Sequence, residues 1–165
     1  MNNKKNIYLL QSNLKPIRQI AGWTAEQLGE KIDVSKQTIS NLENMKTSMS
    51  LTQYIAIRAI LDYEIETNKE NTVLPQVVSI LLDRNEELTD EENKKLNDAI
   101  KTVAISAAGG ITGTTLATIF LGIVAGSLGS ATLTCTAISQ GPIGLVAGGT
   151  AVGTAHWLKK LLDKK

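Results

Sequence analysis

Between Lys101 and His156 the chain has no Asp, Glu, Lys, Arg or His over 54 consecutive residues. The water-facing side of a helix or strand ordinarily carries a charge every few residues, so this run excludes an ordinary hydrated surface over about a third of the molecule. It implies a segment surrounded by lipid, or one enclosed by protein. Large apolar residues are scarce there as well: 16 of the 54 are Ile, Leu, Val or Phe, against 35 that are Gly, Ala, Ser or Thr. Cys135 is the lone cysteine, so no intrachain disulfide forms and nothing indicates an oxidising compartment. His156 is the lone histidine and reads as an interfacial residue beside Trp157, while Cys135 reads as a small apolar residue. The Gly-rich run lacks the Gly-Lys-Ser/Thr ending of a phosphate-binding loop, and metal-ligand spacing is missing. These absences point away from an enzyme, and no cofactor or metal is expected.

The formal net charge of +1 hides a division. Residues 1–62 carry eight Lys/Arg against five Asp/Glu, residues 63–101 carry five against ten, and residues 102–165 carry four against one, all in the last seven positions. A mildly basic head, an acidic middle and an uncharged body with a basic tail follow one another. Ile7 to Leu10 follow Lys4 and Lys5, but Gln11, Ser12 and Asn13 end that apolar run too early for a secretory signal. The head is expected to remain in the cytoplasm.

Apolar residues in the head recur at helical spacing: Leu14, Ile17, Ile20 and Ala21, then Leu28 and Ile32, then Ile39 and Leu42. Thr24 with Gln27 makes a capping-box pattern that opens a helix from Ala25 to Ile32. Asp33 and Val34 follow at once, and Ser35 caps a second helix, Lys36 to Glu43. Asp tolerates the left-handed backbone better than most residues, which suits a tight turn there. Ser50 or Thr52 starts a further helix with Tyr54, Ile57 and Leu61. Two short helices joined in this way form a helix-turn-helix.

The segments Leu14-Lys15-Pro16-Ile17-Arg18 and Trp23-Thr24-Ala25-Glu26-Gln27-Leu28-Gly29-Glu30-Lys31-Ile32 resemble the first helices of the phage-repressor and Cro class, the xenobiotic-response-element family. Val34-Ser35-Lys36-Gln37-Thr38-Ile39-Ser40-Asn41-Leu42-Glu43-Asn44 is similar to that family's recognition-helix segment. The resemblance covers roughly residues 10–62. It departs in three places: Asp33 replaces the glycine usual in the turn, Met45 the glycine after the recognition helix, and Ala25 a glutamine usual after Trp23. The resemblance implies that Lys36, Gln37, Thr38 and Asn41 enter the major groove of a double-stranded DNA operator, with Ile39 and Leu42 turned inward. Gln and Asn pair bidentately with adenine, Lys reaches guanine, and Thr24, Ser35 and Lys46 meet phosphate. The same residues would also serve as the solvated polar face of any helix. A single head binds weakly, so a homodimer or higher oligomer is expected.

In the middle, Tyr63 to Asn71 is polar and acidic and reads as a linker or frayed helix end. Pro75 suits a first helical turn, with Val77, Val78, Ile80, Leu81 and Leu82 as a wide apolar side. Thr89 with Glu92 is a second capping box, opening a helix through Leu96, Ile100, Val103 and Ala104 that continues past Lys101. Its apolar stripe serves either a dimer interface or packing onto the head.

A membrane-spanning helix needs about 20 residues, so the uncharged run accommodates two spans and a connection. The first is expected from Thr102 or Val103 to about Gly126. The second, ending near His156, has an ambiguous start because Gln140-Gly141-Pro142 breaks or kinks a helix. Lysines flank the run and none lies within it, which places both termini on the cytoplasmic side, and Trp157 suits the interfacial belt. Four glycine pairs are each spaced four apart: Gly109 with Gly113, Gly122 with Gly126, Gly144 with Gly148, and Gly149 with Gly153. That spacing lets helix backbones approach closely. The alternative is a core shielded by the acidic helices and released on a signal, in a cytoplasmic protein that inserts conditionally.

The expected architecture is all-α: a five-helix repressor-type head (1–62), an acidic helical linker or dimerisation region (63–101) and a Gly/Ala-rich transmembrane hairpin with a basic tail (102–165). The expected function is a membrane-anchored, repressor-like DNA-binding regulator with DNA and the lipid bilayer as partners. The alternative is a membrane-perturbing or pore-forming effector, growth-inhibitory or phage-excluding, with a regulatory head.

Overall fold

A computed structural model describes residues 3–84, 88–110 and 114–127, and among them every regular element is helical. The head comprises α1 (Asn3–Ser12), α2 (Leu14–Ile20), α3 (Ala25–Lys31), α4 (Lys36–Glu43) and α5 (Leu51–Thr67). Beyond it, α6 (Val73–Val78) runs into a π-helical turn, Ser79–Asp83, and α7 (Asp90–Ala108) and α8 (Thr114–Ser127) follow.

The short head helices depend on their ends, because so few residues make few internal hydrogen bonds. Thr24 and Gln27 form the expected capping box, as do Thr89 and Glu92 at α7, and Ser50 and Gln53 form a third at α5. The C-termini share one device. Every residue with a left-handed φ among the described residues lies just past a helix: Gly22 at 76°, Asp33 at 55°, Met45 at 56° and Gly110 at 88°. After α4, Met45 N–H donates to Leu42 O at 3.1 Å and Lys46 N–H to Asn41 O at 2.9 Å. This Schellman pairing recurs after α2 and α3, where Trp23 N–H reaches Arg18 O and Val34 N–H reaches Gly29 O, and it uses carbonyls the helix leaves open. Gly29 has a further reason to be glycine: a Cβ there would lie 2.5 Å from the Val34 carbonyl oxygen.

The acidic middle packs onto the head. α7 lies along α2, α8 along α7, and α6 touches α2, α5 and α8. Leu96, Ile100, Val103 and Ala104 of α7 are buried in one apolar cluster with Leu14, Ile17 and Ile20 of α2. Asn13 Nδ2 donates to Asn97 Oδ1 at 2.9 Å beside that contact. The stretch read as a linker is tied down as well: α5 continues to Thr67, and Asn71 Nδ2 donates to Ile20 O at 2.7 Å.

The first expected membrane span is not one continuous helix. α7 does run past Lys101, but it ends at Ala108, and Gly110 adopts the left-handed conformation that stops it. α8 has 14 residues, about 21 Å of helix against a bilayer core of about 30 Å. Among the described residues no helix is long and apolar enough to cross a membrane. Leu116, Ala117, Phe120 and Val124 of α8 are instead buried in the protein core.

Of the glycine pairs expected to pack helices together, the structure describes only part, and within the chain it seats no described backbone against Gly122. Gly109 caps α7 rather than lying within a span. Gly122 and Gly126 both fall in α8, but a Cβ added to Gly122 would meet nothing within 4 Å, so no described backbone approaches it. Gly113, the partner expected for Gly109, lies outside the described residues. So do Gly144 and its partner Gly148, and Gly149 and its partner Gly153. The second span, Cys135, His156 and Trp157 lie outside them as well.

Candidate nucleic-acid interface

The candidate interface is built on α4 and the helix ends beside it. Ile39 and Leu42 are fully buried and fix the rotation of α4, which leaves Lys36 and Gln37 exposed and Thr38 and Asn41 half-buried on the outer side. Ser35 Oγ accepts the Thr38 N–H at 3.1 Å and lies 3.0 Å from the Thr38 hydroxyl. Thr24 Oγ1 accepts the Gln27 N–H at 3.1 Å. Both hydroxyls, expected at phosphate, are thus helix caps whose O–H remains a donor. Gln37 Nε2 donates to Asn41 Oδ1 at 3.0 Å, which joins the two amide side chains one turn apart. Lys36 Nζ is 3.9 Å from Glu26 Oε2 with both groups exposed, a contact worth well under about 1 kcal/mol and no obstacle to a phosphate or base. Lys46 is exposed on the loop after α4.

Several residues hold α4 that the sequence reading gave no role. Arg18 of α2 donates from Nε to Glu43 Oε1 at 2.6 Å and from a second nitrogen to Oε2 at 3.3 Å, and its remaining nitrogen reaches Trp23 O at 2.7 Å. This two-point pair ties the C-terminal end of α4 to α2. Gln11 of α1 reaches the same end from the other side, with Nε2 donating to Leu42 O at 3.1 Å and Thr47 O at 2.7 Å. No sequence signal marks Gln11, because its partners are backbone groups more than 30 positions away. In the sequence Arg18 and Glu43 are only a basic and an acidic residue on two helices with α3 between them.

A shallow surface depression joins the head to the start of the uncharged run. Trp23, Thr24 and Ala25 line one side and Ala107 and Ala108 the other. Ala25, where the resemblance leads one to expect glutamine, is therefore next to the end of α7.

The residues that build this geometry coincide with a match to a family model, "Helix-turn-helix", over residues 14–68. Residues 14–68 are a helix-turn-helix domain of the repressor and Cro type. The domain is similar to two proteins named Antitoxin HipB. That of Escherichia coli O6:H1 is 40% identical over 53 residues, which cover 32% of this chain and 56% of the relative. That of Escherichia coli K12 is 38% identical over 53 residues, 32% of this chain and 60% of the relative. The similarity thus spans somewhat over half the length of these curated relatives and a third of this chain. No solved structure gives a significant match. α1, α7 and α8 all lie outside the helix-turn-helix match.

Proposed function

We propose that this chain is a sequence-specific, repressor-like regulator that places α4 in the major groove of double-stranded DNA. One observation carries the reading: Lys36, Gln37, Thr38 and Asn41 stand on the outer side of a helix capped by Ser35 at its start and tied to α1 and α2 at its end, within a matched helix-turn-helix domain. Gln37 and Asn41 suit adenine edges, Lys36 a guanine, and Thr24, Ser35 and Lys46 the flanking phosphates. The protein acts by binding, not catalysis, and as a homodimer on two half-sites. Selection from a random duplex pool by the full chain tests this. The expected result is a defined half-site whose recognition is lost in the Gln37→Ala, Asn41→Ala double variant; a pool left unenriched sinks the reading.

For the uncharged run, the buried position of Leu116, Ala117, Phe120 and Val124 favours conditional rather than permanent contact with lipid. In this reading the protein resides in the cytoplasm with α8 docked. Release of α8 delivers the run to the bilayer beside Thr24, so membrane contact and operator binding influence each other. Vesicle flotation of the full chain separates this from a constitutive anchor, which floats without any trigger.

A further inference from the structure

Gln11 is buried, and every polar atom of its side chain is engaged. Nε2 donates to Leu42 O and Thr47 O, and Oε1 accepts the Met49 N–H at 2.8 Å. These three partners lie on both sides of the left-handed turn at Met45, so the loop from 45 to 49 closes around one amide. Among the described residues no backbone group bonds to Thr47 O or Met49 N–H. Met49 is buried, and a buried backbone N–H without a partner is costly, so the loop's path depends on that amide. Lys46 is carried on the loop, and the last turn of α4 ends in it. Gln11 belongs to α1, which precedes the matched residues 14–68.

We propose that Gln11 is a positioning residue for DNA binding: it sets where the loop after α4, with Lys46, meets the phosphate backbone. This rests on the reading of α4 as the groove-entering helix. α1 is itself braced, because Leu9 and Leu10 are buried and Asn13 donates both to Leu9 O at 3.0 Å and to Asn97 of α7. The DNA-binding unit therefore extends upstream of the helix-turn-helix domain, and α7 of the acidic middle backs it.

The test uses the full chain and two substitutions. Gln11→Met keeps length and volume and loses all three bonds. Gln11→Glu keeps the acceptor for Met49 N–H and loses both donors. Amide hydrogen exchange at Met49, the melting temperature, and affinity for a duplex selected by the wild-type chain are measured across a salt series. For Gln11→Met the expected results are Met49 exchange at least about 10-fold faster, affinity down roughly 10- to 100-fold, and a salt slope shallower by about one phosphate contact. The preferred sequence stays the same. Gln11→Glu is expected to retain protection at Met49 but lose affinity. A merely structural role lowers the melting temperature and leaves the salt slope and affinity of the folded protein unchanged; that result overturns the proposal. If the wild-type chain selects no duplex, the parent reading fails instead, and the proposal falls with it.

Discussion

Gln37 and Asn41 are hydrogen-bonded to each other across one turn of α4, Nε2 to Oδ1 at 3.0 Å. The pair presents one donor–acceptor surface, not two separate amides. Each orients the other before DNA arrives, which reduces the entropy lost on binding.

Single alanine substitutions at Gln37 and at Asn41 are therefore expected to cost about 1–3 kcal/mol each in binding to the selected duplex. The double variant should lose less than the sum, since removal of either frees the other. Binding titrations on the four proteins of the cycle measure this. Strict additivity would show that the amides act independently.

Met45 occupies a left-handed position that glycine adopts without steric cost. Met45→Gly is expected to stabilise the domain by about 1 kcal/mol. Asp33→Gly should gain less, because Asp tolerates that conformation better. Urea midpoints of the two variants decide, and a loss of stability in Met45→Gly would mean that the Met45 side chain has contacts outweighing its backbone strain.

The Arg18–Glu43 pair is nearly buried, with side-chain exposures of 11% and 7%. Glu43→Ala leaves a guanidinium without its partner and is expected to destabilise by about 3 kcal/mol. Arg18→Met combined with Glu43→Met should recover part of that loss, because no unpaired charge remains. Chemical denaturation of both variants reads the difference.

Burial raises the pKa of the Tyr54 phenol; the nearby Arg58 guanidinium works against this, and Asp83 adds to the rise. The folded protein thus holds Tyr54 neutral to higher pH than the unfolded chain does. Its contribution to stability is present in full below about pH 10 and is lost as the pH rises from there toward the folded value. Melting temperatures at about pH 9 and about pH 11 should fall more in the wild type than in Tyr54→Phe. Equal falls would exclude Tyr54 as a source of alkaline sensitivity.

Phe120 is fully buried where α8 meets the core. Phe120→Ala is expected to cost about 3–5 kcal/mol of packing, and the loss falls first on α8 rather than on the whole fold. The variant should co-sediment with lipid vesicles more than the wild type while its head retains cooperative unfolding. A variant that stays in the supernatant counts against conditional insertion.

The head was legible in the sequence because its signals are local. A cap hydroxyl and the residue three positions later, or an apolar residue recurring every third or fourth position, act within one helix. Thr24 with Gln27, Ser35, and the inward Ile39 and Leu42 are therefore found where the pattern places them. The same locality explains Asp33 in the turn. What the sequence left open are contacts between residues far apart in the chain. Whether the stripe Leu96, Ile100, Val103 and Ala104 faces a second copy or α2 depends on surfaces brought together only by folding, and packing of α7 on α2 decided it. The uncharged run is the same case. Absence of charge makes water a poor neighbour for the run as a whole, although Ile105 and Thr118 are exposed, and it does not choose between lipid and protein, since both are apolar. For α8 the choice fell to tertiary structure: Gly110 turns the chain at the end of α7, and Phe120 enters the core. Gln11 and the Arg18–Glu43 pair belong with these, because a hydrogen bond to a distant backbone carbonyl or carboxylate leaves no periodic trace in the chain that makes it.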